Sequence, residues 1–240
     1  FNIGGNAKVQ FVQPSSTSTA LNRVNASDPS YIEGTLSANG KVILINPNGV
    51  LFANGARVDT AGIVASTLNL TDQNFLNDNF VFEKDGIAAA ITNSGDLKAF
   101  VGGVVALIAP QVTNNGNISA EAGDVALLAG NKVTLTLNGN RLIKYSIDQG
   151  SLDAMVQNNS VIRAAEGVVI LSAKALDTIS KSVVNNTGLI EAKGITQSGG
   201  KIILDAEPAL IQSQMSWVIL VRMVALEQVM AVRLKLQGII

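Results

Sequence analysis

The 240-residue chain is 47 % hydrophobic but only 4 % aromatic and 15 % charged, and its formal net charge is −1. This balance, with no block of Lys and Arg, excludes the electrostatic footprint of a nucleic-acid-binding protein. The chain has no Cys and no His, which excludes disulfides, Ser-His-Asp and Cys-His catalysis, and most zinc sites. It opens at Phe1 with neither Met nor an apolar leader, as is typical of a fragment or a processed product.

Two short strand patterns recur along the chain in a fixed order. The first reads Gly or Ser, then x-(Ile/Leu)-x-Ala, and its copies are "GTLSA", "GDLKA", "GNISA", "SVIRA" and "GLIEA", starting at Gly34, Gly95, Gly116, Ser160 and Gly188. The second reads Gly-x-(Val/Ile)-x-Leu, and its copies follow as "GKVILI", "GVVALI", "GDVALL", "GVVILS" and "GKIILD", starting at Gly40, Gly103, Gly123, Gly167 and Gly200. Their spacing predicts coils of about 21 residues, each with two strands and a Gly-bearing corner between them.

A coil of this length cannot bury its apolar side alone, so successive coils are expected to stack as a parallel β-solenoid. Aliphatic side chains would then form ladders along the axis. Asn residues at the corners would adopt the left-handed conformation and bond the equivalent Asn one coil away. About ten coils at the ~4.8 Å strand spacing would give a rod about 50 Å long. A β-sandwich is the alternative, but it should show hairpins and more Thr, Tyr and Phe.

Two stretches break the period, Asn69 to Gly86 and Asn138 to Ala154, and we interpret them as extra-helical hairpins or loops that pack on the rod. From Ile211 onward the repeat is lost and Asn is absent. We therefore expect a β-helix domain over residues 1–210 and an atypical tail over residues 211–240. The tail is either an amphipathic helix or strand cap, or the product of a shifted reading frame or a truncation. Its charged residues make it too interrupted for a transmembrane segment.

The acidic residues are dispersed and form no pair that repeats at coil spacing, so we interpret most of them as solvated surface. The richest acidic and amide cluster, "DQNFLNDN" from Asp72 to Asn79, lacks the spacing of a Ca²⁺ loop. The sequence accordingly predicts no catalytic residue, no metal site and no cofactor.

One corner differs from the others, because "GKVILI" is followed by Asn46-Pro47-Asn48-Gly49. Pro at the second turn position fixes φ, Asn can bond the turn backbone, and Gly suits the last position of a type I turn. These residues therefore predict a tight turn, and on physical grounds alone a pure folding role and recognition by a partner remain equally open.

The stretches "FNIGGNAKVQFVQPSSTSTALNRV" and "LSANGKVILINPNGVLFANGARVDTAGIVASTLNL" closely resemble the filamentous-haemagglutinin-type secretion domain, the amino-terminal module of exoproteins exported by two-partner secretion in Gram-negative bacteria. The resemblance covers about residues 1 to 210 and has "INPNGVLF" at its centre. It implies an all-β, right-handed parallel β-helix with extra-helical hairpins, whose first capping strands should precede Phe1.

The same resemblance implies a secretion signal that includes Asn46, Pro47, Asn48 and Gly49. The unfolded chain would be recognised in the periplasm by the polypeptide-transport-associated domains of a dedicated outer-membrane β-barrel transporter, and would fold at the cell surface. The full exoprotein would be a secreted or surface-bound adhesin, haemolysin or related toxin, without enzymatic activity, with a host-cell glycan or receptor as a further partner. A carbohydrate-active β-helix enzyme, such as a polysaccharide lyase or a glycosidase, is the alternative.

Overall fold

The computed structural model describes residues 1–177, 182–192 and 200–207, together with the backbone of residues 219–222. Over these residues the chain winds through seven coils, and a complete coil contributes one strand to each of three sheets. The predicted all-β, parallel β-helix is confirmed. The prediction of two strands per coil is wrong, because a third strand follows each Gly-x-Val strand wherever the coil is complete.

The strands, and the one helix among the described residues, follow each other coil by coil. Coil 1 holds β1 (Lys8–Phe11), β2 (Thr19–Arg23) and β3 (Ser30–Ile32), and coil 2 holds β4 (Thr35–Ala38), β5 (Lys41–Ile45) and β6 (Val50–Phe52). Coil 3 holds β7 (Arg57–Thr60), β8 (Gly62–Ser66), α1 (Asp72–Leu76), β9 (Phe80–Glu83) and β10 (Ile91–Asn93). Coil 4 holds β11 (Asp96–Ala99), β12 (Val104–Ala109) and β13 (Gln111–Asn114). Coil 5 holds β14 (Asn117–Ala120), β15 (Asp124–Ala129), β16 (Lys132–Asn138), β17 (Arg141–Gln149) and β18 (Ala154–Asn158). Coil 6 holds β19 (Val161–Arg163), β20 (Val168–Lys174) and β21 (Ser182–Asn186), and β22 (Leu189–Glu191), β23 (Lys201–Glu207) and β24 (Ile219–Arg222) follow.

Three sheets run along the helix axis. Sheet I has the order β1-β4-β7-β11-β14-β19-β22, sheet II has the order β2-β5-β8-β12-β15-β20-β23-β24, and sheet III has the order β21-β18-β13-β10-β6-β3. All pairings within them are parallel except that of β23 with β24. Equivalent residues stack directly, as in the sheet II ladder Val42, Ile63, Val105, Val125, Val169 and Ile202.

Glycine begins the Gly-x-Val strands because stacked corners approach too closely for a side chain. A Cβ on Gly123 would collide with the carbonyl oxygen of Gly103 one coil earlier, and a Cβ on Gly167 would collide with that of Gly123. The recurring glycine is therefore a requirement of stacking, and it marks the start of every sheet II strand from β12 to β20.

The central strands of sheet II, β5, β8, β12 and β15, are buried on both faces, which explains their nearly continuous apolar sequence. All six residues of β12 are buried. Val105, Leu107 and Ala109 point into the inner core, which the three sheets enclose. The alternate residues, Val104, Ala106 and Ile108, belong to a second cluster outside the helix.

The cover over this second cluster comes from two excursions at the corner between sheets II and III. Residues 67–90 carry α1 and β9, and residues 130–153 form the hairpin β16–β17. The three strands make an antiparallel outer sheet in the order β17-β16-β9. The predicted extra-helical excursions are confirmed, although each is longer than expected. Their length is also the reason why the described chain forms seven coils and not about ten.

The predicted tail at residues 211–240 lies outside the described residues, apart from the backbone of β24. The division into residues 1–210 and 211–240 stays a prediction. Within the described part of the chain, no helix is long and apolar enough to cross a membrane.

A ladder of asparagines, buried at Asn93, Asn114 and Asn158 and exposed at Asn186, closes the end of sheet III. Asn93 Nδ2 donates to Asn114 Oδ1 at 2.8 Å, Asn114 Nδ2 donates to Asn158 Oδ1 at 2.7 Å, and Asn158 Nδ2 donates to Asn186 Oδ1 at 2.7 Å. The predicted Asn ladder is confirmed, but the predicted left-handed backbone is wrong. These Asn residues end strands, and the described non-Gly residues with positive φ are Asp78, Ala122, Asp153 and Glu166.

Asn114→Ala should lower the free energy of unfolding by about 2–3 kcal/mol, because it removes two hydrogen bonds and leaves Asn158 Oδ1 unpaired inside the structure. Denaturant unfolding of the two proteins measures the difference. Asn115→Ala is the matched control. The side chain of Asn115, next to Asn114 in the chain, is exposed, although it also accepts a hydrogen bond from Asn159 in the next coil. Equal losses in the two variants would contradict a special role for the buried ladder.

The carboxyl group of Asp205 in β23 lies beside Glu207. Burial, the charge of Glu207 and a hydrogen bond to Glu207 raise the pKa of Asp205 from 3.8 to about 6, and the charge of Lys174 opposes the shift. Lys174 Nζ lies 3.3 Å from a carboxylate oxygen of Glu207. Because the folded chain keeps this proton to a higher pH than the unfolded chain, the free energy of unfolding should fall as pH rises from about 4 to about 6.

Asp205→Asn should remove most of that fall and stabilise the chain at pH 7 by about 1 kcal/mol, a value reduced for the solvent screening of a partly exposed group. Urea unfolding at pH 4 and pH 7 gives the pH dependence of each protein. Asp59→Asn, on the exposed side of sheet I, is the control and should retain the fall. If the free energy of unfolding of Asp205→Asn depends on pH as that of the original chain does, other groups are responsible for the pH dependence.

Candidate functional site

Asn46-Pro47-Asn48-Gly49 forms the corner of coil 2 between β5 and β6, where sheet II passes to sheet III. The backbone N–H of Gly49 donates to the carbonyl oxygen of Asn46 at 3.0 Å, which is the hydrogen bond expected of a four-residue turn. The predicted tight turn is confirmed. Gly49 has φ of +115°, a backbone conformation that favours glycine at this position.

Asn46 is fully buried, with 0 % of its surface exposed. Its Nδ2 donates to the carbonyl oxygen of Asp28 at 3.0 Å and to Ser30 Oγ at 2.9 Å. Its Oδ1 accepts the backbone N–H of Asn48 at 3.0 Å. The side chain thus ties the corner of coil 2 to the end of coil 1 and holds the turn closed from inside.

Pro47 and Asn48 are half-buried at the surface of the corner. Asn48 Nδ2 donates to the carbonyl oxygen of Ala26 at 3.0 Å, so a second amide joins coil 2 to coil 1. The Pro47 carbonyl oxygen accepts the backbone N–H of Ala89 at 2.9 Å. The corner is therefore bonded on both sides, by coil 1 and by the returning segment of the first excursion.

The backbone of the corner also forms hydrogen bonds with the coils before and after it. The N–H of Asn46 donates to the carbonyl oxygen of Ser66 in coil 3 at 3.0 Å, and the N–H of Ser30 in coil 1 donates to that of Gly49 at 3.0 Å. The structure thus brings all four predicted residues into one compact unit. Sequence reasoning missed the residues that hold this unit, Asp28, Ser30 and Ala89, because no local pattern connects them to the turn.

A cleft of about 380 Å³ lies further along the same edge of the helix. It forms where the tight corner of coil 4, at Pro110, sits between the two long excursions of coils 3 and 5. Its lining combines the polar residues Lys84, Gln111, Asn131 and Ser151 with aliphatic side chains from Ala88 to Ala90, Leu152 and Leu176. This lining offers hydrogen bonds and one cation, and it includes no carboxylate, so the described walls hold no acid–base pair.

One acidic residue departs from the predicted solvated surface. Asp124, at the start of β15, has a side chain that is only 1 % exposed. Its carboxylate accepts from Arg141 Nε at 2.9 Å, from Arg141 Nη2 at 3.1 Å and from the backbone N–H of Leu142 at 2.9 Å. The hydrogen bond to Asp124 raises the pKa of Arg141. This bidentate pair explains how the carboxylate is tolerated inside the structure, and its role is to anchor β17.

Among the described residues, no three His, Cys, Asp or Glu side chains converge to hold a metal ion.

Comparison with known proteins places these features in a family. Residues 1–214 match the family described as the TPS secretion domain. The chain is 35 % identical over 241 aligned residues to a heme/hemopexin-binding protein of Haemophilus influenzae strain ATCC 51907, and 33 % identical over 230 to a second protein of that name from the same species. These alignments cover 89 % and 86 % of this chain but 24 % of each relative, so the chain spans about a quarter of their length.

The fold has a counterpart among solved structures. The crystal structure of the HMW1 secretion domain from Haemophilus influenzae superposes with a TM-score of 0.76 at 32 % sequence identity, covering 88 % of this chain and 55 % of that one. The family match, the two relatives and the shared β-helix agree with each other. The chain therefore belongs to the TPS secretion domain family, the export module of exoproteins that Gram-negative bacteria secrete through a dedicated outer-membrane transporter.

Proposed function

We propose that Asn46, Pro47, Asn48 and Gly49 are the part of this domain that the transporter reads, and that its polypeptide-transport-associated domains bind them in the periplasm while the chain is unfolded. The domain folds as it leaves the transporter, and the exoprotein is then released or held at the cell surface. Export and not catalysis is the work of this domain.

The observation that carries this proposal is the burial of Asn46. In the folded domain its amide bonds to Asp28 and Ser30 and is fully enclosed, so a partner has no access to it. In the unfolded chain the same amide, the rigid Pro47 and the Asn48 amide are all free to bind. A motif that is accessible only in the unfolded chain allows a transporter to bind unfolded chains and not folded ones.

The position of the motif supports a second role beside the turn. The short corner of coil 4 uses a single residue, Pro110, between β12 and β13. A coil can therefore pass from sheet II to sheet III without an Asn-Pro-Asn-Gly turn. The corner of coil 2 thus contains side chains, the two Asn amides and Pro47, that a corner between these sheets does not require.

We further propose that the remainder of the exoprotein acts on the host. Two relatives carry the name heme/hemopexin-binding protein, so heme or hemopexin is one partner that a passenger of this kind would bind. A host-cell glycan or receptor is the other partner class, as for an adhesin. The relatives' names favour binding over a carbohydrate-active enzyme.

Asn46→Ala should reduce export at least about tenfold in cells that carry the cognate transporter, because the transporter loses a side chain it reads. Export is measured as the share of exoprotein in the medium and on the cell surface, with the periplasmic share measured in parallel. The Asn48→Ala variant should behave alike, since its amide belongs to the same motif.

Asn93→Ala is the matched control for a folding defect. Asn93 is also fully buried, its Oδ1 accepts the N–H two residues on at 3.1 Å, and its Nδ2 donates twice, to Asn114 Oδ1 at 2.8 Å and to the Gly95 carbonyl at 3.3 Å. Both variants should lose about 2–3 kcal/mol of unfolding free energy. Only the variant at position 46 should lose export. Equal export of the two variants, whether high or low, would refute recognition of the motif.

A further inference from the structure

The hairpin β16–β17, residues 132–149, lies across the outer face of sheet II, and we call it the strap. Its residues Val133, Leu135, Leu142 and Ile147 cover the outer cluster together with Phe80 and Phe82 of β9. Lys132 Nζ lies 3.0 Å from a carboxylate oxygen of Glu83 and adds a polar contact at the edge. The strap therefore shields from water a set of apolar side chains that the helix leaves on its outside.

The tip of the strap reaches back to the first two coils. The Gly139 carbonyl oxygen accepts a hydrogen bond from Lys41 Nζ in coil 2. Asn140 Nδ2 donates to the Ser16 carbonyl oxygen in coil 1 at 3.1 Å. These contacts join residues 98 and 124 positions apart in the chain. Strand neighbours within the uninterrupted coils are only about 21 residues apart.

Lys41 makes closure of the strap costly as well as specific. The residue is only 6 % exposed, and Gly139 supplies the hydrogen bond to its ammonium group. Burial lowers the pKa of Lys41, although the charge of Asp78 opposes that shift. Since water solvates this ammonium group whenever the strap is open, the open state is less unfavourable than the apolar contacts alone would make it.

The β-helix itself does not depend on the strap for its inner core. The inner cluster is built from the inward residues of the three sheets and includes no residue of β16 or β17. The strap joins the rest of the molecule through side chains, through its pairing with β9 and through polar anchors, Asp124 in coil 5 and Lys174, whose Nζ donates to the Ile147 carbonyl oxygen at 2.9 Å. Such a unit can open while the coils remain stacked.

We propose that the strap closes as a separate last step of folding and opens on its own in the native protein. Its pairing with β9 and its contacts with Lys41, Ser16, Asp124 and Lys174 hold it shut. The contacts of the strap with coils 1 and 2 then form only after the strap, which ends at residue 149, has packed on sheet II. This inference concerns folding and stands whether or not the transporter reads the corner of coil 2.

The absence of Cys from the chain allows a direct test with single thiols. Ala106→Cys places a thiol in the outer cluster, which the strap and β9 cover, whereas Ala109→Cys places one in the inner core on the same strand, and both positions are fully buried. Ala126→Cys and Ala129→Cys repeat this comparison on β15. We expect a thiol reagent to label each outer thiol of the native full chain at least about tenfold faster than its inner counterpart.

A second variant isolates the anchor of the strap. Asp124→Asn removes the ion pair with Arg141 and should raise labelling of the outer thiols by a further factor of about ten, with the inner thiols unchanged. Asn140→Ala, at the exposed tip, provides the same test through a milder change. During refolding from denaturant, the inner thiols should become protected first. Equal labelling within each pair, or equal acceleration of both by Asp124→Asn, would show that the strap opens only with the whole molecule and would overturn the proposal.

Discussion

The backbone groups of the three parallel sheets bond along the helix axis, so each coil is completed only by its neighbours. This constraint sets most of what the sequence contains. It requires glycine where stacked corners meet, as at Gly123 over Gly103, and it requires like residues at like positions in the ladders. It also permits polar side chains in the interior, because Asn114 finds its partners in the same residue type one coil above and one coil below.

The parts of the fold that could be predicted are those that repeat. Gly-x-Val and the preceding Ala-ending strand each recur five times, and the structure places them in sheets II and I. The strands of sheet III were missed because they are short, begin without glycine and share mainly a terminal asparagine, as in "ITN" and "QVTN". The strap was predicted as an excursion that packs on the rod, but its contacts with Ser16 and Lys41 were not predicted, since they depend on tertiary structure that no local pattern encodes.

The corner of coil 2 shows the same division. Its turn chemistry is legible in the order Asn, Pro, Asn, Gly, and the hydrogen bond from Gly49 to Asn46 follows from that order. The enclosure of Asn46 by Asp28 and Ser30 does not follow from the local sequence, because these two residues lie in the preceding coil, at a position with no motif of its own. Burial of this amide is what would let a partner distinguish the unfolded chain from the folded one. Under the proposed function, this short sequence would be a peptide ligand before folding, and in the folded domain Asn46 is part of the buried structure.

The long excursions of coils 3 and 5 leave the helix at the same corner, between sheets II and III, whereas the corners between sheets III and I hold only two to four residues. Chain length at this one edge is thus independent of the length of the rod. Segments can be lengthened there during evolution without shifting a ladder, as long as the outer cluster on sheet II stays covered. The edge is therefore where related domains can diverge in surface shape and antigenicity while their coils stay superimposable, and where a foreign epitope would disturb the fold least.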